Sequence, residues 1–366
     1  DHIITSLIED FSRYNLSLAA CPADEMGQAY EYLVGKFADD AGNTAQEFYT
    51  NRTVVDLMAE ILQPKQGESI YDPTCGSGGM LVKCLDFLRK KGEPWQGVKV
   101  IGQETNALTS AIARMNLYLN GVEDFSIVRE DTLAHPAFID GSKLRKFDIV
   151  LANPPYSIKT WNREAFLNDK WGRNFLGTPP QGRADYAFMQ HIIASMNSNT
   201  GRCAILFPHG VLFRDEEKEI RKNLILQDDI ECVIGLGPNL FYNSPMEACI
   251  IICNKNKTSE MKNRILMINA VHEVIRKNGE SLLLDKHIEK ISSTYHEKRE
   301  IEGFSKVTSL DEIKEKDYNL NISLYAYKGF LEISEEVLHN DAIESWQNSA
   351  ALTKQAYNEL MALINQ

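Results

Sequence analysis

The sequence predicts a doubly wound α/β fold, in which helical regions precede and follow a central parallel sheet. The 366 residues are 43% hydrophobic and 25% charged, an ordinary globular composition with enough length for a substantial core. From residue 68 onward, short apolar segments alternate with amphipathic segments of helical spacing. Strands separated by helices of this length pair in parallel and are covered on both faces.

Seven segments have the length and apolar character of buried strands. They are Ser69–Tyr71, Val98–Gly102, Phe125–Val128, Phe147–Ala152, Cys203–Phe207, Cys232–Leu236 and Cys249–Cys253. Three helices with one apolar face alternate with them, over Gly79–Lys91, Thr105–Asn120 and Asp185–Met196. The stretch Ser157–Arg183 has no such periodicity, and a loop of that length is usually a lid, a binding loop or disordered.

The regions outside this alternating pattern are helical in spacing. Apolar residues follow helix periodicity from Met26 to Phe37 and from Val54 to Leu62, and charged helical patterns cover Lys286–Arg299 and Asp311–Lys316. We therefore expect four regions: a helical region 1–64 that ends a larger helical domain, a central domain 65–272, an accessory segment 273–327 and a helical tail 328–366. Because the chain begins at Asp1 and not Met, we expect it to be a fragment of a longer protein.

Charge and cysteine content exclude several classes of protein. The 51 acidic and 39 basic residues give a net charge of −12, which argues against a sequence-independent nucleic-acid coat but permits a local basic cleft. The longest apolar runs are far short of the roughly 18 residues that span a bilayer, and the first residues lack the basic segment of a secretory signal. Seven cysteines without a C-x-x-C pair disfavour a zinc site and fit a reducing cytoplasm, so we expect no metal and a cytoplasmic location.

A glycine-rich turn follows the first predicted strand. Asp72 ends the strand, and Gly76, Ser77, Gly78 and Gly79 lead into a helix, where glycines let the backbone approach a ligand and the helix start offers free N–H groups. The turn lacks Gly-Lys-Ser/Thr, which disfavours a phosphate-binding P-loop. The Asp72 carboxylate suits a ligand that carries an ammonium group or hydroxyls.

Two further acids follow the next two predicted strands. Glu104 is placed to accept hydrogen bonds from ribose hydroxyls, and Asp131, which precedes Thr132, to accept from an adenine amine. Because the carboxyl ends of parallel strands meet at one edge of a sheet, the three acids are expected to share the edge where doubly wound folds bind ligands.

The fourth motif is Asn153-Pro154-Pro155-Tyr156, at the end of the fourth strand. A conjugated amine is a poor nucleophile because its lone pair is delocalised. The Asn153 side-chain oxygen and the Pro154 carbonyl can accept its two N–H bonds, which favours the tetrahedral nitrogen of the transition state. Pro155 stiffens this backbone, and Tyr156 offers a stacking face for a planar substrate, as enzymes that flip a base require.

With these four motifs, the chain resembles the modification (methyltransferase) subunits of type I restriction-modification systems, within the S-adenosylmethionine-dependent adenine-N6 DNA methyltransferases. Further similarity, over roughly residues 25–330, lies in four segments: Tyr30–Ala38, Glu47–Arg52, Asn239–Asn243 and Tyr318–Ile322. The resemblance implies a Rossmann-like methyltransferase sheet in which region 65–272 is catalytic. It also implies methyl transfer from S-adenosylmethionine to N6 of adenine in double-stranded DNA, by base flipping.

The resemblance also assigns candidate site residues. The implied cofactor contacts are Glu47, Phe48, Tyr49, Thr50, Asn51, Arg52, Asp72, Gly76, Ser77, Gly78, Gly79, Glu104, Asp131, Thr132 and Asn153, and the implied catalytic residues are Asn153, Pro154, Pro155 and Tyr156. Phe241 is a candidate second stacking face for the flipped adenine, with a buried loop anchor as the alternative. The segment after Tyr156 could contact DNA phosphates through Lys159, Arg163, Lys170, Arg173 and Arg183, or could be a solvated loop.

The sequence departs from the family pattern at three places. Gln46 stands where Gly is usual, Asn51 where Pro is usual, and Ser244–Glu247 replaces a small polar stretch. None of these removes a proposed catalytic group, although the first two could weaken cofactor binding.

The resemblance implies several partners and leaves two alternatives open. The partners are double-stranded DNA, a DNA-specificity subunit, a second copy of the methyltransferase subunit and a restriction (translocase) subunit. One alternative is a methyltransferase that acts on a protein glutamine or a ribosomal-RNA amine. The other is a non-catalytic assembly subunit, against which the intact Asp72, Asn153 and Tyr156 argue.

Overall fold

The computed structural model describes residues 2–15, 50–156, 158–240, 247–277 and 280–327. The helices within these ranges are α1 (His2–Phe11), α2 (Arg52–Leu62), α3 (Gly79–Lys90), α4 (Ala107–Leu119), α5 (Arg163–Leu167), α6 (Asp185–Ser195), α7 (Lys218–Leu226), α8 (Asp285–Glu297) and α9 (Leu310–Glu315). The predicted helix from Met26 to Phe37 and the predicted tail 328–366 lie outside the described residues.

Nine strands of the described residues form one sheet. They are β1 (Ser69–Asp72), β2 (Lys99–Glu104), β3 (Phe125–Arg129), β6 (Ile149–Ala152), β7 (Arg202–Pro208), β8 (Ile230–Leu236), β9 (Ala248–Asn254), β10 (Arg264–Ala270) and β13 (Ser305–Ser309). Their order is β13-β10-β8-β9-β7-β6-β1-β2-β3. Two hairpins complete the list, β4–β5 (Ile139–Asp140 and Lys143–Leu144) and β11–β12 (Ile275–Lys277 and Glu280–Leu282).

Strand direction departs from the prediction at one of the seven predicted strands. β9 runs antiparallel to both of its neighbours, β7 and β8, whereas the sequence pattern placed it in a parallel sheet. The added edge strand β13 is also antiparallel, to β10. A buried strand is apolar in either direction, so composition alone cannot reveal the reversal. The doubly wound α/β class itself is confirmed.

Side chains of the central strands alternate between two cores. Ile70 packs with α2, α3 and α8 on one face, whereas its neighbour Tyr71 packs with α6 and α7 on the other. The same alternation separates Leu151 from Val150 in β6. Each apolar side chain that is fully buried in this way stabilises the fold by about 1.5–3 kcal/mol. The two layers of helices hold the strand ends in fixed positions.

The predicted helix Thr105–Asn120 begins two residues later than expected. Asn106 caps it, because its side-chain oxygen accepts from the N–H groups of Leu108 and Thr109 at 2.9 and 3.2 Å.

Within the described residues, no helix has the length and apolar character that a membrane crossing requires.

Candidate functional site

Four adjacent strands bring the predicted motifs to one edge of the sheet. β6, β1, β2 and β3 are consecutive and parallel, so their carboxyl ends lie side by side. Asp72 is the last residue of β1 and Glu104 the last residue of β2, Asp131 follows β3 by two residues, and Asn153 directly follows β6. The acids and the Asn153 loop thus occupy neighbouring positions on a single edge.

The glycine turn packs directly on the end of β2. The Cys75 N–H donates to the Gln103 carbonyl at 2.9 Å, and Gly76 and Gly78 have positive φ angles of 53° and 78°. Gly102 makes this approach possible, because a Cβ there would lie 2.6 Å from Ile127 Cδ1 and 2.9 Å from Cys75 Sγ. Helix α3 begins at Gly79, directly after the turn, and no side chain caps its first N–H groups among the described residues.

Asp72 is a fully buried carboxylate with one partner-free oxygen. Its Oδ1 accepts from the Thr74 N–H at 2.9 Å, whereas Oδ2 has no hydrogen-bond partner among the described residues. Burial raises the pKa of the Asp72 carboxyl to about 7, the Thr74 N–H lowers it, and the nearby Glu104 raises it. A buried acceptor of this kind favours a ligand that brings a cation or a hydroxyl donor.

Glu104 joins the turn after β1 to the turn after β2. One carboxylate oxygen accepts from the Gly76 N–H at 3.1 Å and the other from the Asn106 N–H at 2.8 Å. These two bonds fix the orientation of the carboxylate. Each carboxylate oxygen has two lone pairs, so the group has the capacity to accept a ligand hydroxyl as well. The geometry fits an acceptor for ribose hydroxyls.

The loop after β3 is fixed by its own acid and by a buried glutamine. Asp131 accepts from the Leu133 and Ala134 N–H groups at 2.8 and 2.9 Å, and the Thr132 hydroxyl donates to the Pro73 carbonyl of the glycine turn. Gln103, which the sequence analysis did not single out, donates to the His135 carbonyl and accepts from the Ala137 N–H, each at 3.0 Å. These contacts hold the Asp131 loop, which follows β3, against the glycine turn, which follows β1.

Asn153 contacts residues on both sides of the site. Its Nδ2 donates to Thr50 Oγ1 at 2.9 Å, and its Oδ1 accepts from the Tyr156 hydroxyl. Pro154 is buried, while Asn153, Pro155 and Tyr156 are half-buried. Burial raises the pKa of the Tyr156 hydroxyl, with smaller contributions from Cys249 and Asp185, so the hydroxyl remains a donor.

The stretch ahead of α2 is described only in part. Glu47, Phe48, Tyr49 and also Phe241 lie outside the described residues. Asn51 caps α2 by accepting from the Thr53 N–H at 3.0 Å, and its Nδ2 donates to the Ser281 carbonyl at 2.8 Å. Both polar ends of Asn51 are therefore bonded within the fold, and Arg52 is the first residue of the helix.

Sequence reasoning also missed a buried polar chain behind the site. The Tyr71 hydroxyl lies 3.1 Å from His191 Nε2, and His191 Nδ1 lies 3.4 Å from an Arg173 nitrogen. Burial, and then the Arg173 charge, lowers the pKa of His191 well below its ordinary value, so the imidazole is neutral. No periodic or motif signal marks these residues, which are 18 to 120 positions apart.

The predicted DNA contact at Arg173 is wrong, because the side chain is buried. Its side chain is 1% exposed, pairs with Asp169 at 2.7 Å, and donates to the Thr132 and Leu133 carbonyls at 2.8 Å each. It therefore fastens its segment to the Asp131 loop and cannot reach a phosphate. The sequence of an irregular polar stretch does not show whether an arginine in it is exposed or is buried beside a carboxylate.

The other basic residues of the segment remain near the surface. Lys159 and Lys170 are exposed, Arg163 donates to the Pro179 carbonyl at 2.7 Å, and Arg183 pairs with Glu216 at 3.5 Å. The described residues contain no group of three or more His, Cys, Asp or Glu suited to a metal ion.

Comparison with known protein families and sequences finds similar proteins that are named as methylases. The family model of N-6 DNA methylases matches residues 22–332. The type I restriction enzyme MjaVIII methylase subunit of Methanocaldococcus jannaschii is 36% identical, over 94% of this chain and 62% of the relative. The HindI methylase subunit of Haemophilus influenzae is 33% identical, over 91% of this chain and 74% of the relative.

A solved structure of a methyltransferase subunit is similar to this chain in both sequence and fold. The type I restriction-modification methyltransferase subunit from Streptococcus thermophilus is 37% identical and superimposes with a TM-score of 0.76, covering 85% of this chain and 65% of that one. This chain spans less than two thirds of the length of that structure and of the MjaVIII subunit.

Proposed function

The chain belongs to the N-6 DNA methylase family, and we propose on that premise that it transfers a methyl group from S-adenosylmethionine to N6 of adenine in double-stranded DNA. We propose further that it does so as the modification subunit of a type I restriction-modification complex. The observation that carries the proposal is the placement of the Asn153–Tyr156 loop beside the three acid-bearing ends of β1, β2 and β3.

The cofactor is held by the ends of β1, β2 and β3. Asp72 Oδ2, which has no hydrogen-bond partner among the described residues, suits the ammonium end. Glu104 suits the ribose hydroxyls, and Asp131 suits the adenine amine. Gly76, Ser77, Gly78 and Gly79 line the approach, and Thr132 ties their turn to the Asp131 loop. We propose Glu47, Phe48, Tyr49, Thr50, Asn51 and Arg52 as further cofactor contacts. When bound, S-adenosylmethionine supplies an electrophilic methyl group.

Asn153 and Pro154 activate the acceptor amine. Asn153 Oδ1 and the Pro154 carbonyl accept the two N–H bonds of the adenine amine, which turns the nitrogen lone pair toward the methyl carbon. The amine held in this way would take the methyl group of bound S-adenosylmethionine, S-adenosylhomocysteine would leave, and one amine proton would pass to solvent. The Tyr156 hydroxyl bonds Oδ1 in the structure, and because an amide oxygen has two lone pairs, Oδ1 can accept the amine N–H as well.

Tyr156 supplies a stacking face for the flipped adenine. The target adenine lies inside the duplex and has to be extruded to reach Asn153, at an unstacking cost of a few kcal/mol. Stacking on an aromatic ring returns about 1–3 kcal/mol per base. Phe241 is proposed as the second face, and Lys159 and Lys170 as contacts to DNA phosphates.

The proposed partners rest on the subunit names of the relatives. The relatives are named as methylase subunits, and we infer that a DNA-specificity subunit selects the target sequence. A second methyltransferase subunit and a restriction subunit complete the proposed assembly.

The test is methyl transfer with three acceptors. The chain is purified together with its proposed partner subunits and incubated with S-adenosylmethionine labelled in the methyl group. The acceptor is adenine-containing duplex DNA, ribosomal RNA or free protein. The proposal predicts label in DNA as N6-methyladenine. Label in RNA or in protein glutamine would assign the alternative substrates, and cofactor binding without transfer would indicate an assembly subunit.

A further inference from the structure

A cavity of about 390 Å³ lies away from the proposed methyl-transfer site. Its walls come from the residues just before β6, the end of α6, and Lys255 directly after β9. These positions lie at the amino-terminal ends of β6 and β7, because β9 is antiparallel and Asn254 pairs with Arg202 at the start of β7. Asp72, Glu104 and Asn153 lie at the opposite edge of the sheet.

The cavity is strongly basic. Lys143, Lys146 and Lys255 line it, and none of its lining residues is acidic. Burial lowers the pKa of Lys146, and repulsion from the like charges of Lys255 and Lys143 lowers it further. Asp229 offsets part of this charge, since it pairs with Lys255 at 2.5 Å. An anion between the lysines would relieve the remaining repulsion.

The polar atoms of the cavity leave donors available. Lys146 Nζ donates one hydrogen to the Ala194 carbonyl at the end of α6, which neutralises the negative end of that helix. An ammonium group has three hydrogens, so Lys146 and Lys255 each keep donors beyond these contacts.

One wall of the cavity is aromatic. Trp171 and Phe175 line it, and Phe175 is 37% exposed despite its apolar ring. A phosphate alone would leave this wall uncovered, whereas the volume lies within the range of pockets for small organic ligands. We propose that the cavity binds a nucleotide, with its phosphates between Lys143, Lys146 and Lys255 and its base against Trp171 and Phe175.

The nucleotide can come from two sources, free in solution or as part of a single strand of nucleic acid. Both present the same phosphate and base, and they differ in the chain that continues beyond the phosphate. The site is independent of the proposed cofactor site, because no residue is shared between the two.

The experiment is calorimetric titration of ADP into the full chain, in the presence of saturating S-adenosylhomocysteine to fill the cofactor site. We expect ADP to bind, and the double variant Lys143→Ala/Lys146→Ala to weaken it by about tenfold or more. Lys262→Ala, an exposed lysine outside the cavity, should leave the affinity unchanged. Thermal melting checks that each variant is folded.

Two further arms define the ligand. Trp171→Ala should reduce ADP affinity to that of pyrophosphate, which lacks a base. A short oligothymidylate that binds more tightly than ADP, with the same lysine dependence, assigns the source to a nucleic-acid strand, and weaker binding assigns it to free nucleotide. Absence of ADP binding, equal affinity in the double variant, or equal binding of pyrophosphate and ADP by the parent chain would overturn the proposal.

Discussion

Asp72 is the residue whose charge state we propose to govern the cofactor site most directly. Its raised pKa, about 7 against an ordinary 3.8, means that the folded chain prefers the protonated carboxyl. Stability from this preference is complete below pH 3.8 and is lost as the pH rises through about 7. A ligand ammonium group reverses the preference, because it stabilises the carboxylate.

Cofactor affinity should therefore rise with pH until Asp72 is ionised. We expect S-adenosylhomocysteine to bind more tightly at about pH 7.5 than at about pH 5.5, by up to tenfold per pH unit below the folded pKa. Calorimetry across this range measures the effect. Asp72→Asn, which cannot ionise, should bind weakly with a flat pH profile, and an unchanged slope in that variant would exclude Asp72 as the cause.

Asn153 is the residue on which the proposed chemical step depends. Asn153→Ala removes one acceptor for the amine and should slow single-turnover methyl transfer roughly 10²–10³-fold, about 2.7–4 kcal/mol, with little change in cofactor affinity. Thr50→Val removes the partner of Asn153 Nδ2 and leaves Oδ1 in place, so at saturating cofactor its single-turnover rate should fall much less. Transfer at the parent rate by Asn153→Ala would exclude the proposed activation.

Tyr156 separates stacking from hydrogen bonding at the same loop. Tyr156→Ala should weaken retention of the flipped base, since stacking is worth about 1–3 kcal/mol. Tyr156→Phe keeps the ring and removes the hydroxyl that bonds Asn153 Oδ1, so it should stay near the parent rate. Single-turnover rates with DNA in excess distinguish the two, and equal losses in both variants would contradict a stacking role.

At the scale of elements, the glycine turn depends on its contact with β2. Gly102→Ala places a Cβ within 3 Å of Ile127 and Cys75, so the turn must shift. We expect a loss of about 1–3 kcal/mol of folding free energy, together with weaker cofactor binding. Gly182→Ala, where a Cβ would meet nothing within 4 Å, is the control. Denaturant unfolding measures both, and equal stability of the two variants would contradict the packing argument.

Arg173 tests whether the segment after the Asn153 loop is fastened to the fold. Arg173→Met leaves the buried Asp169 carboxylate without its partner and should cost about 3–5 kcal/mol. Lys170→Met, at the exposed neighbouring position, should change stability by less than about 0.5 kcal/mol. Thermal unfolding compares them, and a mild Arg173→Met would restore the view of this residue as a surface charge.

The extent to which sequence predicts these elements follows from the strength of local signals. β1, β2 and β3 could be predicted because each is short, apolar and followed by a turn. β13 could not, because Ser305–Ser309 is a polar edge strand. The edge position of Asp72, Glu104 and Asn153 followed from the rule for parallel strands, whereas the Tyr71–His191–Arg173 chain depends on tertiary packing that leaves no local pattern.

At the scale of the whole molecule, one sheet carries two separate sets of polar residues. The carboxyl edge of β6, β1, β2 and β3 holds the acids and the Asn153 loop, and the amino-terminal edge near β6 and β7 holds the lysine-lined cavity. Arg173 links the segment between β6 and α6 to the Asp131 loop, and Trp171 and Phe175 of the same segment line the cavity.

The most direct measurement is a crystal structure of the chain with S-adenosylhomocysteine. The central claim is that one site at the carboxyl edge holds both the cofactor and the acceptor amine. It predicts ribose hydroxyls within hydrogen-bond distance of Glu104, the ammonium group beside Asp72 Oδ2, and the sulfur facing the Asn153 loop. Density for the ligand elsewhere, with Asp72 and Glu104 uncontacted, would contradict it.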